Sequence, residues 1–220
     1  TQLPPPTSAS ILPTDTRQAA EEESTDTQPT PTPAPSTTDA PALGPISSEV
    51  VLVPAGPFIM GSSNEDERPP HEVFVEAYQI DKFEVANDEF QVFVDESGYV
   101  TEGEQAGEED GWMAWSEGKP GHPVVKVTFG DAQAYCEWSG KRLPREAEWE
   151  KAARGTEQLA YPWGNEWDSE RANAKESGYR GTTAVGSFPQ GASPYGAMDM
   201  AGNVAEWTTD WFKAYPGGDF

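Results

Sequence analysis

The segment DMAGNVAEW places two carboxylates, Asp199 and Glu206, seven residues apart around a Gly-Asn turn that can face main-chain carbonyls inward. Calcium takes about six to eight oxygen ligands and mixes carboxylates with backbone carbonyls, so this stretch could wrap one ion. On spacing alone a second reading stays open, a turn followed by a buried Trp207 with both acids solvated. Other chemistry-bearing residues are sparse. His71 and His122 are the only histidines and lie too far apart in sequence to suggest a ligand pair. Cys136 is the single cysteine, which rules out an internal disulfide and a zinc-type Cys/His cluster. Late in a helical stretch beside Tyr135 and Trp138, it reads as a small hydrophobe. A nucleophile would need a neighbouring cation or helix N-terminus, and the remaining alternative is one half of a disulfide to a cysteine beyond Phe220. Without a Ser-His-Asp order, a Gly-rich phosphate loop or HExxH, hydrolase, kinase and metalloprotease readings find no support.

The elements that must hold these residues occupy only part of the chain. Residues 1–48 contain 10 Pro, 10 Thr and 6 Ser and no aromatic residue, too little apolar surface to offset ordering entropy. This stretch reads as a disordered linker, with QPTPTPAPSTTDAP (28–41) sampling polyproline II and the whole spanning on the order of 40 Å as a flexible coil. Residues 49–220 carry every aromatic and read as one domain. VVLVPAGPFIMGSS suggests two short strands joined by a turn, and HEVFVEAYQIDKFEV a strand running into a bend, with Phe74, Tyr78 and Ile80 on one parity. Three helices are legible. Asn87 can cap DEFQVFVDES, Thr128 with Asp131 opens DAQAYCEWS in a capping-box pattern, and REAEWEKAAR ends at Gly155. Beyond Gly155 periodicity is lost, and so long a loop region needs staples: Trp packing, side-chain caps or bound metal.

Net charge is −24, of which −5 falls in residues 1–48. Nucleic acid and anionic membrane surfaces are poor partners for such a chain, whereas cations suit it. No apolar run approaches the roughly 18 residues of a membrane span. The acidic domain and its tether point to an extracytoplasmic or secreted setting, with room for an upstream anchor. Thr1 as first residue and the turn-type ending AYPGGDF read as cuts at both ends.

The strings VPAGPFIMGS (53–62), DKFEVANDEFQVFV (81–94), HPVVKVTFGDAQAYCEWSGKRLPREAEWEKAARG (122–155), YPWGNEW (161–167) and GAMDMAGNVAEWTTDW (196–211) together resemble the formylglycine-generating enzyme family, the sulfatase-modifying factors. The resemblance implies an α/β (α+β) domain of the variant C-type-lectin-like formylglycine-generating enzyme fold, low in regular structure and binding calcium. It also implies oxidation of a sulfatase cysteine to formylglycine, with copper held by two cysteines of a C-terminal motif that this chain does not contain, so the domain reads as incomplete at its C-terminus and inactive alone. By the same resemblance, one calcium site falls on the side chains of Asp199 and Glu206 and the carbonyls of Gly202 and Val204. Another falls on Asn173 and the carbonyls of Ala174 and Tyr179, with Ser177 where the family places an acid and Glu176 as a substitute. Cys136 matches a family cysteine that is disulfide-bonded in some members. Ala86 and Arg145 stand where the family has a capping Thr, a loss of about 1 kcal/mol each, and Ala205 replaces a Trp. The implied function is a formylglycine-generating-type oxidase, a monomer acting on a sulfatase or other protein. The alternative is a non-catalytic extracytoplasmic binding or sensory module on the same fold.

Overall fold

The apolar runs on either side of the Pro54–Pro57 turn do form strands, but the two do not pair with each other. A computed structural model of the chain describes residues 49–63 and 67–218; the tether read for 1–48 lies outside the described residues. Strand β1 (Val50–Val53) is followed by β2 (Gly56–Met60), β3 (His71–Val75) and β4 (Tyr78–Asp81). β1 runs antiparallel to β4, with Val50 opposite Asp81 and Val53 opposite Tyr78. β2 runs antiparallel to β3, with Gly56 opposite Val75 and Met60 opposite His71. The expected strand from His71 therefore breaks at Glu76 and Ala77, because its halves belong to different ladders. The break also resets the parity: Phe74 is exposed, whereas Tyr78 and Ile80 pack inward.

Among the described residues five helices follow: α1 (Asn87–Ser97), α2 (Glu102–Ala106), α3 (Trp112–Ser116), α4 (Phe129–Trp138) and α5 (Glu146–Arg154). α1, α4 and α5 are the expected ones; α2 and α3 have five residues each, too short for a periodicity to show. The N-cap of α1 is Ala86, not Asn87, which is the first helical residue and is buried. Ala86 has no side-chain acceptor to offer, so only half a capping box forms, the Glu89 carboxylate accepting from the Ala86 N–H at 2.9 Å. Arg145 heads α5 in the same way, its N–H donating to Glu148 at 2.8 Å. Thr128 caps α4 in full, exchanging hydrogen bonds with Asp131.

Three apolar clusters hold these elements. Phe90 and Phe93 of α1, Trp112 of α3 and Tyr135 of α4 form the first, with Phe90 ring centroids 5.3, 5.0 and 5.9 Å from those of Phe93, Trp112 and Tyr135. The second joins Val53 to Ala152 and Ala153 of α5 and to Ala197 and Met200 of the late loops. The third gathers Phe58, Met60 and Val75 between β2 and β3. Lys151 of α5 is only 1% exposed and donates to the carbonyls of Pro54 and Gly56, both at 2.8 Å, which ties the β1–β2 turn to the helix.

After Gly155 the described chain has only short 3₁₀ turns, Lys175–Ser177 and Pro189–Gly191, in keeping with the low regular content expected. Aromatic staples are present: Tyr161 and Trp163 stack at 5.4 Å with planes 9° apart, and Trp167 packs on both. Among the described residues no helix is long and apolar enough to cross a membrane.

Candidate cation-binding loop

The 199–206 loop is pinned by an uncommon backbone. Asp199 and Asn203 adopt positive φ, 58° and 57°, and Gly202 sits at φ 115°. A Cβ on Gly202 would lie 2.5 Å from the Asn173 carbonyl oxygen, so only glycine lets the loop pass so close to the 172–183 segment. Asn203 then joins three strands of chain. Its N–H donates to the Asn173 carbonyl at 2.8 Å, its Oδ1 accepts from the Thr183 N–H at 2.9 Å and the Asn173 Nδ2 at 3.1 Å, and its Nδ2 donates to Glu84 Oε2 at 2.6 Å.

Glu84 lies just beyond β4 and is buried. Its other oxygen accepts from the Val204 N–H at 3.3 Å. Desolvation, then the charges of Glu206 and Asp199, push its carboxyl up to about 9 against the Asn203 and Val204 hydrogen bonds. Asp199 is also buried and raised by desolvation, although its Oδ2 accepts from the Gly186 N–H at 2.6 Å. Glu206 is exposed and lines, with Glu84, a cleft of about 800 Å³. Neighbouring protein atoms and the Asp199 charge push its carboxyl up. The loop therefore brings together Asp199 and Glu206, as their spacing suggests, and adds Glu84, which sequence reasoning missed. Trp207 is not the buried anchor of the bland reading. It is 48% exposed, edge-on to Phe129 and donating to the Val127 carbonyl at 3.2 Å.

A hard divalent ion fits this donor set in chemistry. The hydrogen-bond partners that shift the three carboxylates are N–H groups, and no Lys or Arg is among the groups that shift them, although Lys126, Lys141 and Arg142 line the wider cleft. Among the described residues no three His, Cys, Asp or Glu side chains converge closely enough to cage a metal by themselves. An ion here would need the carbonyls of Gly202 and Val204 as well.

The second set, Asn173, Ala174 and Tyr179, lines a different cleft. Asn173 spends its amide hydrogens on the Gly181 carbonyl at 2.9 Å and on Asn203. The Ser177 hydroxyl turns inward, donating to the Ala172 carbonyl at 2.6 Å and accepting from the Ala174 N–H at 3.3 Å. Lys126 and Lys175 line the same cleft and, among the described residues, no acid does, an unfavourable surrounding for a dication. Cys136 is free, and desolvation with the Asp81 charge pushes its thiol up to about 11 against the opposing pull of Lys141. A thiol so far from ionising is no nucleophile.

Two small antiparallel ladders, short helices and a long polar-pinned loop region carrying the site define a C-type-lectin-like α/β domain. The solved structure of Treponema denticola variable protein 1 shares this fold, with a TM-score of 0.63 at 23% identity over 81% of this chain and 78% of that one. Residues 39–219 match the model of the sulfatase-modifying factor enzyme 1-like domain, and the chain belongs to that family. The match begins ahead of the boundary that composition places after residue 48. The formylglycine-generating enzyme of Bos taurus is 34% identical over 223 residues, covering 76% of this chain and 59% of its own length. An inactive Cα-formylglycine-generating enzyme 2 of Bos taurus is 36% identical over 216 residues, covering 75% of this chain and 71% of its own length. The serine/threonine-protein kinase pkn1 of Chlamydia caviae is 40% identical over 181 residues, covering 76% of this chain and 28% of its own length.

Proposed function

We propose that this chain is a cation-stabilised domain of a formylglycine-generating-type protein, with calcium held at the 199–206 loop. The observation that carries this reading is the approach of Glu84, Asp199 and Glu206, close enough that the charges of the last two raise the first, with no Lys or Arg among the groups that shift them. Calcium would take the carboxylates of Asp199 and Glu206 and the carbonyls of Gly202 and Val204, and would supply charge neutralisation and a fixed loop. The protein's own residues do the positioning. Gly202 lets the loop approach Asn173, and Asn203 holds Glu84 and Thr183 on either side.

At the level of the whole protein, conversion of a sulfatase cysteine to formylglycine is the activity proposed, in an extracytoplasmic setting. Copper does not fit the residues present. Copper(I) calls for a thiolate pair, and this sequence has one cysteine, whose thiol resists ionisation. No step through copper is therefore assigned to this chain. The non-catalytic binding module is supported by the inactive Cα-formylglycine-generating enzyme 2 of Bos taurus, which is 36% identical over 75% of this chain.

Terbium luminescence sensitised by nearby Trp tests the cation site. Terbium should bind the 220-residue chain, be displaced by calcium, and lose at least tenfold in affinity in Asp199→Asn and Glu206→Gln. Unchanged titration in both variants would sink the cation reading. Oxygen uptake by the full-length protein with copper(I) and a sulfatase-motif peptide would separate the oxidase from the binding module.

A further inference from the structure

The cleft beside the loop has the opposite electrical character. It has a volume of about 450 Å³, within the range that holds a small molecule, and is walled by Trp115, Val125 and Tyr179 with Lys126 and Lys175 at its rim. On a chain of net charge −24 this cleft is lined, among the described residues, by two lysines and no acid, whereas the larger cleft sets Asp81, Glu84, Glu148 and Glu206 beside Lys126, Lys141 and Arg142. Lys126 is also held there. The Nζ atoms of Lys119 and Lys126 stand 5.8 and 5.6 Å from the Trp115 ring centre, in cation–π contact. Lys126 adopts φ 61°, a left-handed backbone that a long side chain rarely takes, and such strained residues concentrate at functional sites. Its one carboxylate partner is Asp110 at 3.1 Å, in a pair with side chains 43% and 73% exposed, weak enough for a competing anion to displace. Among the described residues Lys119 and Lys175 have no carboxylate in salt-bridge distance.

We infer that this cleft binds a small molecule that carries a phosphate or carboxylate on an apolar body, the oxyanion meeting the Lys126 and Lys175 ammonium groups and the body lying against Val125 and Tyr179. The ammonium groups already over Trp115 leave its ring to hold lysines rather than to stack on a ligand. Asn173 and Asn203 line the cleft floor and also hold the 199–206 loop, so a bound ligand would contact the hub of the neighbouring site. The inference stands independently of the cation reading.

Isothermal titration of the 220-residue chain with phenyl phosphate and phenylacetate tests it, with inorganic phosphate and benzyl alcohol as the two halves of the ligand. Phenyl phosphate or phenylacetate should bind more tightly than either half. Lys126→Gln and Lys175→Gln should each weaken binding by roughly fivefold, and the double variant by more, with thermal unfolding unchanged because both side chains are exposed. Phosphate or benzyl alcohol binding as tightly as the joined molecules, or the double variant binding as well as wild type, overturns the inference. Terbium binding to the wild-type chain that is lost in Asn173→Ala but kept in Asp199→Asn would also overturn it and make the cleft a cation site.

Discussion

Residues 49–155 and residues 156–218 are stabilised by different kinds of interaction. In the first region helices and strands meet through apolar side chains: Phe90, Phe93, Trp112 and Tyr135 are almost fully buried against one another. In the second, backbone passes through positive φ at Asp199, Gly202 and Asn203 and is held by side-chain amides and carboxylates instead of by ladders. Apolar packing is non-directional and tolerant of shape, so it builds scaffold; hydrogen-bonded hubs are directional and fix individual oxygens, which a binding loop requires. The acids that the second region brings up to Glu84 raise one another's carboxyls, which is where the proposed cation would act.

Breaking each region at its centre tests the comparison most strongly. Phe90→Ala removes a ring in contact with three other aromatic side chains and should cost about 4 kcal/mol, read by urea denaturation, and the loss should be the same with and without calcium. Asn203→Ala leaves Glu84 and the Thr183 N–H without their partner and forces Ala into left-handed backbone, for about 3 kcal/mol. Its effect should be larger with calcium present, since the wild-type loop then gains binding energy that the variant forgoes. Equal calcium dependence in the two variants would erase the distinction drawn between the regions.

The boundary between the regions lies at α5, where Glu148 combines both kinds of stabilisation. Burial pushes this carboxyl up, but two hydrogen bonds from Arg142 at 2.7 Å each and those from Arg145 overcome it and hold it at about 2. Since the folded value lies below the ordinary 4.5, the ion pair stabilises fully above pH 4.5 and its contribution is lost as pH falls through about 2. Glu148→Gln should therefore cost about 2 kcal/mol at neutral pH and flatten the stability profile between pH 4.5 and 2. A variant whose acid profile overlays that of wild type would assign the stabilisation to packing alone.

What the sequence reveals follows the same division. α1, α4 and α5 announce themselves by apolar spacing and terminal glycines because each buries one face, whereas α2 and α3 are single turns without a repeat to read. The pairing of β1 with β4 depends on contacts across Lys82 and Glu49 rather than on the turn at Pro54. Around the site, Asp199 and Glu206 were recoverable from their spacing because both lie on one short loop. Glu84 was not, since it arrives from the β4–α1 junction and is joined to the loop only through Asn203 and Val204. An acid inside the otherwise apolar string FEVA was the one available sign of burial. The lysine cleft had no linear signature at all: Trp115, Lys126 and Lys175 come from three separate segments.

The smallest effect sharpens the comparison from the side of the scaffold. Both weak helix starts lie in the first region, and they are unequal. Arg145 lacks a capping oxygen but recovers part of the loss by donating from its guanidinium to Glu148 at 3.1 Å, whereas Ala86 offers only its N–H to Glu89. A hydroxyl at position 86 would restore the missing acceptor for the Glu89 N–H at a φ of −79° that Thr accommodates. Ala86→Thr should then stabilise by about 1 kcal/mol, a rise in Tm of about 2–4 °C for a domain of this size. Arg145→Thr should gain less, because the new hydroxyl replaces a guanidinium that already serves Glu148. If apolar packing governs this region, neither change should alter terbium affinity at the 199–206 loop; a shift in that affinity from Ala86→Thr would mean that the start of α1, two residues from Glu84, is mechanically part of the site.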